Sequence, residues 1–93
     1  MRRLEVSRIA YIEARGHQME IHTPDGVFNT RDRLELLEAR LEPFGFVRAN
    51  RGYLVNVYHI EAVNGDCCVV LGDQLPISRS RRAELLERLT EIL

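Results

Sequence analysis

The sequence predicts one mostly β domain with a helix inside it and a second helix at its C-terminus. Three observations carry that expectation. Short runs rich in β-branched and aromatic residues recur along the chain. Turn signals containing glycine, proline, aspartate or asparagine separate many of them. Leucines repeat at helical spacing in just two places, near residues 34–41 and 85–93. A chain of 93 residues forms a single domain, taken as 1–93. It buries only about 60–65% of its unfolded surface, so one modest core is all it supports. Apolar residues make up 45% and charged residues 29%, the proportions of a globular chain rather than a disordered one.

The elements follow in order. Residues 4–14, LEVSRIAYIEA, read as one or two strands. Arg15, Gly16 and His17 form a connection of hairpin length into QMEIHT, residues 18–23. There Met19, Ile21 and Thr23 alternate with Gln18, Glu20 and His22. Pro24-Asp25-Gly26 is a turn, followed by a brief strand at Val27-Phe28. Residues 31–42 then place Leu34, Leu37 and Leu41 along one helical stripe, with Thr30 as the expected N-cap and Asp32 in the first turn. Pro43 and Gly45 end that helix.

Beyond it, FVR, YLVNV, HIEAV and CCVVL are strand-like, and Asn64-Gly65 and Gly72-Asp73 mark turns. From about Ser80 the helical period returns, with Leu85, Leu86, Leu89, Ile92 and Leu93 on a wide apolar face.

Several function classes lose support at once. No apolar run approaches the roughly 20 residues that span a bilayer. Charged residues interrupt any signal-peptide core near the N-terminus, so a cytoplasmic protein without a membrane partner is expected. Cys67 and Cys68 are adjacent, so a strand sends one inward and the other outward, as small hydrophobes rather than a redox or metal pair. His17, His22 and His59 are scattered, and Ser78 and Ser80 lack a nucleophile frame, so no enzyme is expected.

The basic residues carry more information. All thirteen are arginine, and the net charge is −1. Arginine throughout suits bidentate contacts to phosphate and guanine, and it equally suits a GC-rich genome, so only distribution separates the two. Ser78-Arg79-Ser80-Arg81-Arg82 crowds three arginines where a helix begins, against the sign of the helix dipole. Arg48 and Arg51 sit beside Asn50 and Tyr53, and Arg15 beside His17, whereas Glu35, Glu38, Glu42, Glu84, Glu87 and Glu91 lie on the helices. The chain thus divides into basic β-loops and acidic helix faces, the chemistry of groove reading by loops.

IAYIEA (residues 9–14), Gly16-His17, IHT (21–23), the helical leucines 34–41, FVRANRGYLVN (46–56), His59-Ile60 and LPISR (75–79) together resemble, in order, the LytTR DNA-binding domain. The resemblance covers about residues 8–90. Its most specific parts are Phe-x-Arg…Tyr-Leu-Val-Asn and Pro-Ile-Ser-Arg. It implies an elongated arrangement of small antiparallel β-sheets in a bacterial transcription regulator, often a response regulator of a two-component system. Loops would enter successive major grooves of double-stranded DNA, with domains bound in pairs on repeated half-sites.

The resemblance places base contacts on His17, Arg51 and Arg79. Adjacency and chemistry add Arg15, Asn50, Tyr53, Ser78, Arg81 and Arg82 as phosphate contacts. It implies no metal or cofactor. Its implied partners are DNA, a second copy of the domain (a homodimer, or two copies on DNA), and a receiver or sensor module in a longer chain.

Two departures stand out: Asn50 replaces a usual histidine, and Gly52 a usual serine, which would loosen the loop. Asn56, by contrast, is expected to be structural. A rival reading keeps the arginines solvated and docks another regulator on Leu85, Leu86, Leu89 and Ile92. Single-stranded RNA is disfavoured because Tyr53 is the lone aromatic in these loops.

Overall fold

The β-rich runs assemble into two antiparallel sheets. A computed structural model describes residues 3–92. Strands β1 (Tyr11–Arg15), β2 (Gln18–Thr23), β3 (Gly26–Thr30), β4 (Phe46–Asn50) and β5 (Tyr53–Asn56) form the first sheet, in the order β3-β2-β1-β5-β4. Strands β6 (Ile60–Asn64), β7 (Cys67–Val70) and β8 (Asp73–Pro76) form the second, in sequence order. Helix α1 (Leu34–Leu41) leads from β3 toward β4, and helix α2 (Arg82–Glu91) follows β8. The molecule measures 37 × 24 × 24 Å, the elongated shape expected. Among the described residues no helix is long and apolar enough to cross a membrane.

The first sheet is the middle layer, with β4, β5 and the start of β1 buried on both faces. Ile12, Phe46 and Leu54 pack with Met19 against Leu34, Leu37 and Leu41 of α1. The alternate residues Tyr11, Val47, Val55 and Ala49 pack against Cys68, Val70, Leu75 and Leu85 of the second sheet and α2. Two-sided burial explains why β4 and β5 read as continuous apolar runs rather than as alternation. Burying Phe46, Ile12 and Leu54, each fully covered, contributes about 1.5–3 kcal/mol apiece.

The leucine stripe of α1 lies where its spacing places it, but the helix begins at Leu34 instead of Arg31. Thr30 does not cap it. Its hydroxyl accepts from the Asp32 N–H (3.3 Å) and donates to the Asp32 carboxylate (3.1 Å), closing a turn ahead of the helix. A threonine oxygen competes well for an N–H two residues on, and here that local bond wins. Arg33 takes the capping position without a side-chain cap. At the far end a 3-10 turn (Glu42–Phe44) leads into Gly45 at φ +93°. A side chain at that φ is strained whatever the space, and a Cβ would also stand 2.8 Å from the Tyr58 ring, so glycine is favoured there.

Other boundaries shift for similar local reasons. The stretch 4–14 supplies a 3-10 turn (Val6–Arg8) and a strand only from Tyr11. The third strand covers Gly26–Thr30, longer than Val27-Phe28. The turn into β8 is built on Leu71 (φ +52°) and Gly72 (φ +78°), one residue before the expected pair. The Gly72 N–H donates to the Glu61 carboxylate there at 2.9 Å. Helix α2 starts at Arg82, buries Leu85, and packs Leu86 and Ile92 onto the core. Leu93 lies outside the described residues.

Strand parity also decides the cysteines. Cys68 is fully buried and Cys67 half-buried. Burial pushes the Cys68 thiol up to about 11, which makes it unreactive at neutral pH. Asn56 is structural, as expected. It is 2% exposed, donates to the Ile9 carbonyl (2.9 Å) and accepts from the Tyr58 N–H (3.0 Å).

Candidate nucleic-acid interface

Strand direction collects the candidate loops at one end of the first sheet. The turn Gly16-His17 joins β1 to β2. Because β5 runs antiparallel to β1, with Tyr53 opposite Glu13, the β4–β5 turn at Arg51-Gly52 emerges beside it. A bond from the Ala14 N–H to the Gly52 carbonyl, 2.8 Å, locks the two turns together. The segment after β8 is brought to the same end by two further bonds. The Ser78 N–H donates to the Ala49 carbonyl (2.9 Å), and the Asn50 amide donates to the Pro76 carbonyl (2.5 Å).

At this end the three residues named for base contacts share one property. His17, Arg51 and Arg79 are all exposed, and no hydrogen bond or ion pair engages their side chains among the described residues. An exposed guanidinium with no internal partner keeps its fork of donors free for an external acceptor.

The residues named for phosphate contacts divide. Arg81 and Ser78 are half-buried, with side chains unengaged among the described residues, and the Arg81 N–H donates to the Ser78 carbonyl (3.1 Å). Arg15 is exposed but paired with Glu13 (3.4 Å) and Glu20 (3.7 Å). Its hydrogen bond to Glu13 and the two negative charges raise its pKa further. Arg82 donates to the Gly65 carbonyl, bracing α2 against the β6–β7 turn.

Asn50 has both ends of its amide engaged. Besides its bond to Pro76, its oxygen accepts from the Gly52 N–H at 2.8 Å. Tyr53 donates to the Glu13 carboxylate at 3.1 Å, and burial followed by that bond raises its pKa. Asn50 and Tyr53 therefore hold the end of the first sheet in shape.

Arg48 was grouped with the groove-facing loop, and there the structure differs. It is 6% exposed, on the α1 face of β4. Its guanidinium lies 3.1 Å from Glu38 and 3.9 Å from Glu35, and it donates to the Arg51 carbonyl at 2.9 Å. Parity was the available signal. Arg48 shares a strand face with Phe46, which packs on α1, and Glu35 and Glu38 stand one turn apart on that helix.

Sequence reading also missed the network behind the first hairpin. Glu13 and Glu20 face each other across β1 and β2, beside His22, whose ring stacks on Tyr11 at 4.1 Å. The imidazole Nε2 is buried 3.3 Å from Glu20 and 3.8 Å from Glu13 without a hydrogen bond of good geometry. Their donor atoms lie within 4.8 Å of one another, a spacing a cation can use, but Arg15 already supplies the countercharge. Tyr11 in turn donates to Asp73 (2.8 Å), coupling this network to the second sheet; burial, then Asp73, raises its pKa.

Gly52 is not a loose point. Its N–H and carbonyl are both bonded, and its φ is outside the left-handed region. An added Cβ would meet only the Asn50 oxygen at 3.8 Å, an ordinary contact. Gly52→Ser should therefore shift stability by no more than about 0.5 kcal/mol. A thermal melt checks this, and a large fall in Tm would show that the turn does need glycine.

Comparison with known proteins agrees with this architecture. The family model described as the LytTr DNA-binding domain matches residues 1–90. The CO-responsive transcriptional regulator RcoM of Rhodospirillum rubrum is 33% identical over 89 residues, covering 88% of this chain. The chain spans 38% of that regulator's length. A solved LytTr DNA-binding domain from a Bacillus cereus response regulator superposes with a TM-score of 0.83 at 24% identity. That superposition covers 92% of this chain and 84% of the other.

Proposed function

This chain belongs to the LytTr DNA-binding domain family, and from that premise we propose that it binds specific sequences of double-stranded DNA through the loop end of its first sheet, in bacterial transcription regulation. The observation that carries the reading is the set His17, Arg51 and Arg79, exposed and unengaged on three segments that cross-strand bonds hold at one end. Arg51 and Arg79 each offer a planar fork suited to the O6 and N7 acceptors of guanine in the major groove, and His17 makes a third base contact. Arg81 and Ser78 contact phosphates directly, and Arg15 does so once DNA competes with Glu13 and Glu20. Phosphate contacts fix register, and base contacts choose sequence.

Two copies would bind repeated half-sites, and a receiver or sensor module would lie elsewhere in a longer chain. The rival reading, a partner docked on α2, has less surface to use, because Leu85 is buried and Leu86 and Ile92 already pack onto the core.

The test begins with selection of bound sites from a random duplex library, followed by titration of the selected and a scrambled duplex at several salt concentrations. Arg51→Ala and Arg79→Ala should each reduce discrimination between the two by about 1–3 kcal/mol, while binding to the scrambled duplex changes little. Absence of wild-type binding at low salt, or unchanged sequence preference in both variants, would reject the proposal.

A further inference from the structure

The same strand geometry carries one more basic segment to this end. Strand β3 runs antiparallel to β2, with Thr30 opposite Met19, so it finishes beside the start of β2 and the turn that carries His17. The chain leaving it, Arg31-Asp32-Arg33, therefore emerges where the other loops do. Arg31 and Arg33 are exposed, and no hydrogen bond or ion pair engages their side chains among the described residues. Asp32 between them is held by the Thr30 hydroxyl, and Glu35 after them lies 3.9 Å from Arg48.

A second observation brings one of the pair toward the reading loop. Arg33 and Arg51 line the same surface depression, together with Ala14, Met19, Leu34 and Glu35. Two guanidinium groups thus share one hollow with a single carboxylate, itself 3.9 Å from Arg48, so the balance there is positive and complements a polyanion. Strands about 4.8 Å apart make the five-stranded row roughly 20 Å wide, just over half a turn of B-DNA. A duplex laid along that end cannot reach Arg51 and His17 without passing close to the exit of β3.

We propose that Arg31 and Arg33 are a further contact element of the interface, binding DNA phosphates next to the Arg51 loop and reading no bases. This rests on the DNA-binding reading above, and it assigns to the loop before α1 a share of the affinity and salt dependence but none of the specificity.

The experiment compares wild type, the double variant Arg31→Ala/Arg33→Ala, the double variant Arg31→Lys/Arg33→Lys, and Arg51→Ala on selected and scrambled duplexes across a salt series. Loss of two phosphate contacts should flatten the slope of log K against log salt by about 1.8, with roughly tenfold or greater weakening near 0.1 M salt. The weakening should be equal on both duplexes, and the lysine pair should restore the slope. Thermal melts confirm that each variant is folded; both side chains are exposed, and of the two positions only Arg33 joins the helix start, through its carbonyl.

An unchanged slope in the folded alanine pair, with wild type still binding and Arg51→Ala still losing preference, would overturn this inference and leave the DNA reading intact. A weakening confined to the selected duplex would also overturn it, since that is base reading. No wild-type binding to either duplex would remove both readings together.

Discussion

Asn56→Asp is expected to cost the domain about 3–4 kcal/mol near neutral pH, more than Asn56→Ala at about 2–3 kcal/mol. The difference comes from one donor and one charge. The amide of Asn56 donates to the Ile9 carbonyl and accepts from the Tyr58 N–H, tying the chain before β1 to the chain after β5. Alanine leaves both backbone groups without that partner. Aspartate keeps the bond to Tyr58 but turns a second oxygen toward the Ile9 carbonyl, and its charge occupies a site that is 2% exposed. Burial raises such a carboxyl above its unfolded value of about 3.9.

A folded pKa raised in this way favours the protonated form, which can again donate to Ile9. The stability of Asn56→Asp relative to wild type is therefore greatest below about pH 4 and is lost as pH rises through the raised folded pKa. Urea unfolding of wild type and both variants, each at about pH 4.5 and pH 7, measures it. Equal deficits for aspartate at the two pH values, or an aspartate variant more stable than the alanine one near pH 7, would contradict the role assigned to the amide.

The second large effect is at Arg48. Arg48→Ala should destabilise the fold by about 2–3 kcal/mol and also weaken sequence-specific DNA binding, although Arg48 faces α1 and not the proposed groove surface. Three losses add up. The charge-assisted bond to the Arg51 carbonyl disappears, the Glu38 carboxylate loses its neighbour at 3.1 Å, and a hole opens between β4 and α1. Glu35 is largely exposed and Glu38 about one-third exposed, so both rehydrate, which keeps the cost below that of breaking a fully buried pair.

Arg48→Met separates packing from tethering. It refills the hole, so it should recover part of the stability, yet it leaves the Arg51 carbonyl unheld and should bind the selected duplex several-fold more weakly. Amide hydrogen exchange at residues 50–52 gives the readout that packing alone does not move, and faster exchange is expected in both variants. A methionine variant with wild-type exchange and wild-type discrimination would mean that the Arg48 bond does not position the reading loop.

These two residues show how far a sequence speaks for itself. Asn56 sits in a run of strand formers, where a polar side chain must satisfy backbone groups or be costly, so its structural role was legible. Arg48 has the same polarity problem, but its carboxylate partners lie in α1, ten and thirteen residues earlier, and strand parity gives only the face it shares with Phe46, not those partners. The internal bonds of Asn50 and Tyr53 were hidden in the same way. Both carry the right donors for a phosphate, and both donate to acceptors in other strands, 26 and 40 residues distant. The Thr30 cap failed on a smaller scale, since its oxygen takes the Asp32 N–H in a turn that closes before the helix starts at Leu34.

The mostly β class, both helical stripes and the approximate places of the turns were determined by the sequence alone, because they depend on period and on turn chemistry within short stretches. Which arginines remain free was decided only by the tertiary structure. Hydrogen bonding saturates, and a guanidinium or amide that finds a carbonyl or carboxylate in the folded chain is no longer equally available outside it. Arg48 and Arg82 found such partners and Arg15 found a surface one, while Arg51, Arg79, Arg31 and Arg33 found none among the described residues. That division follows from strand register and helix docking, which bring together residues that are far apart in the chain.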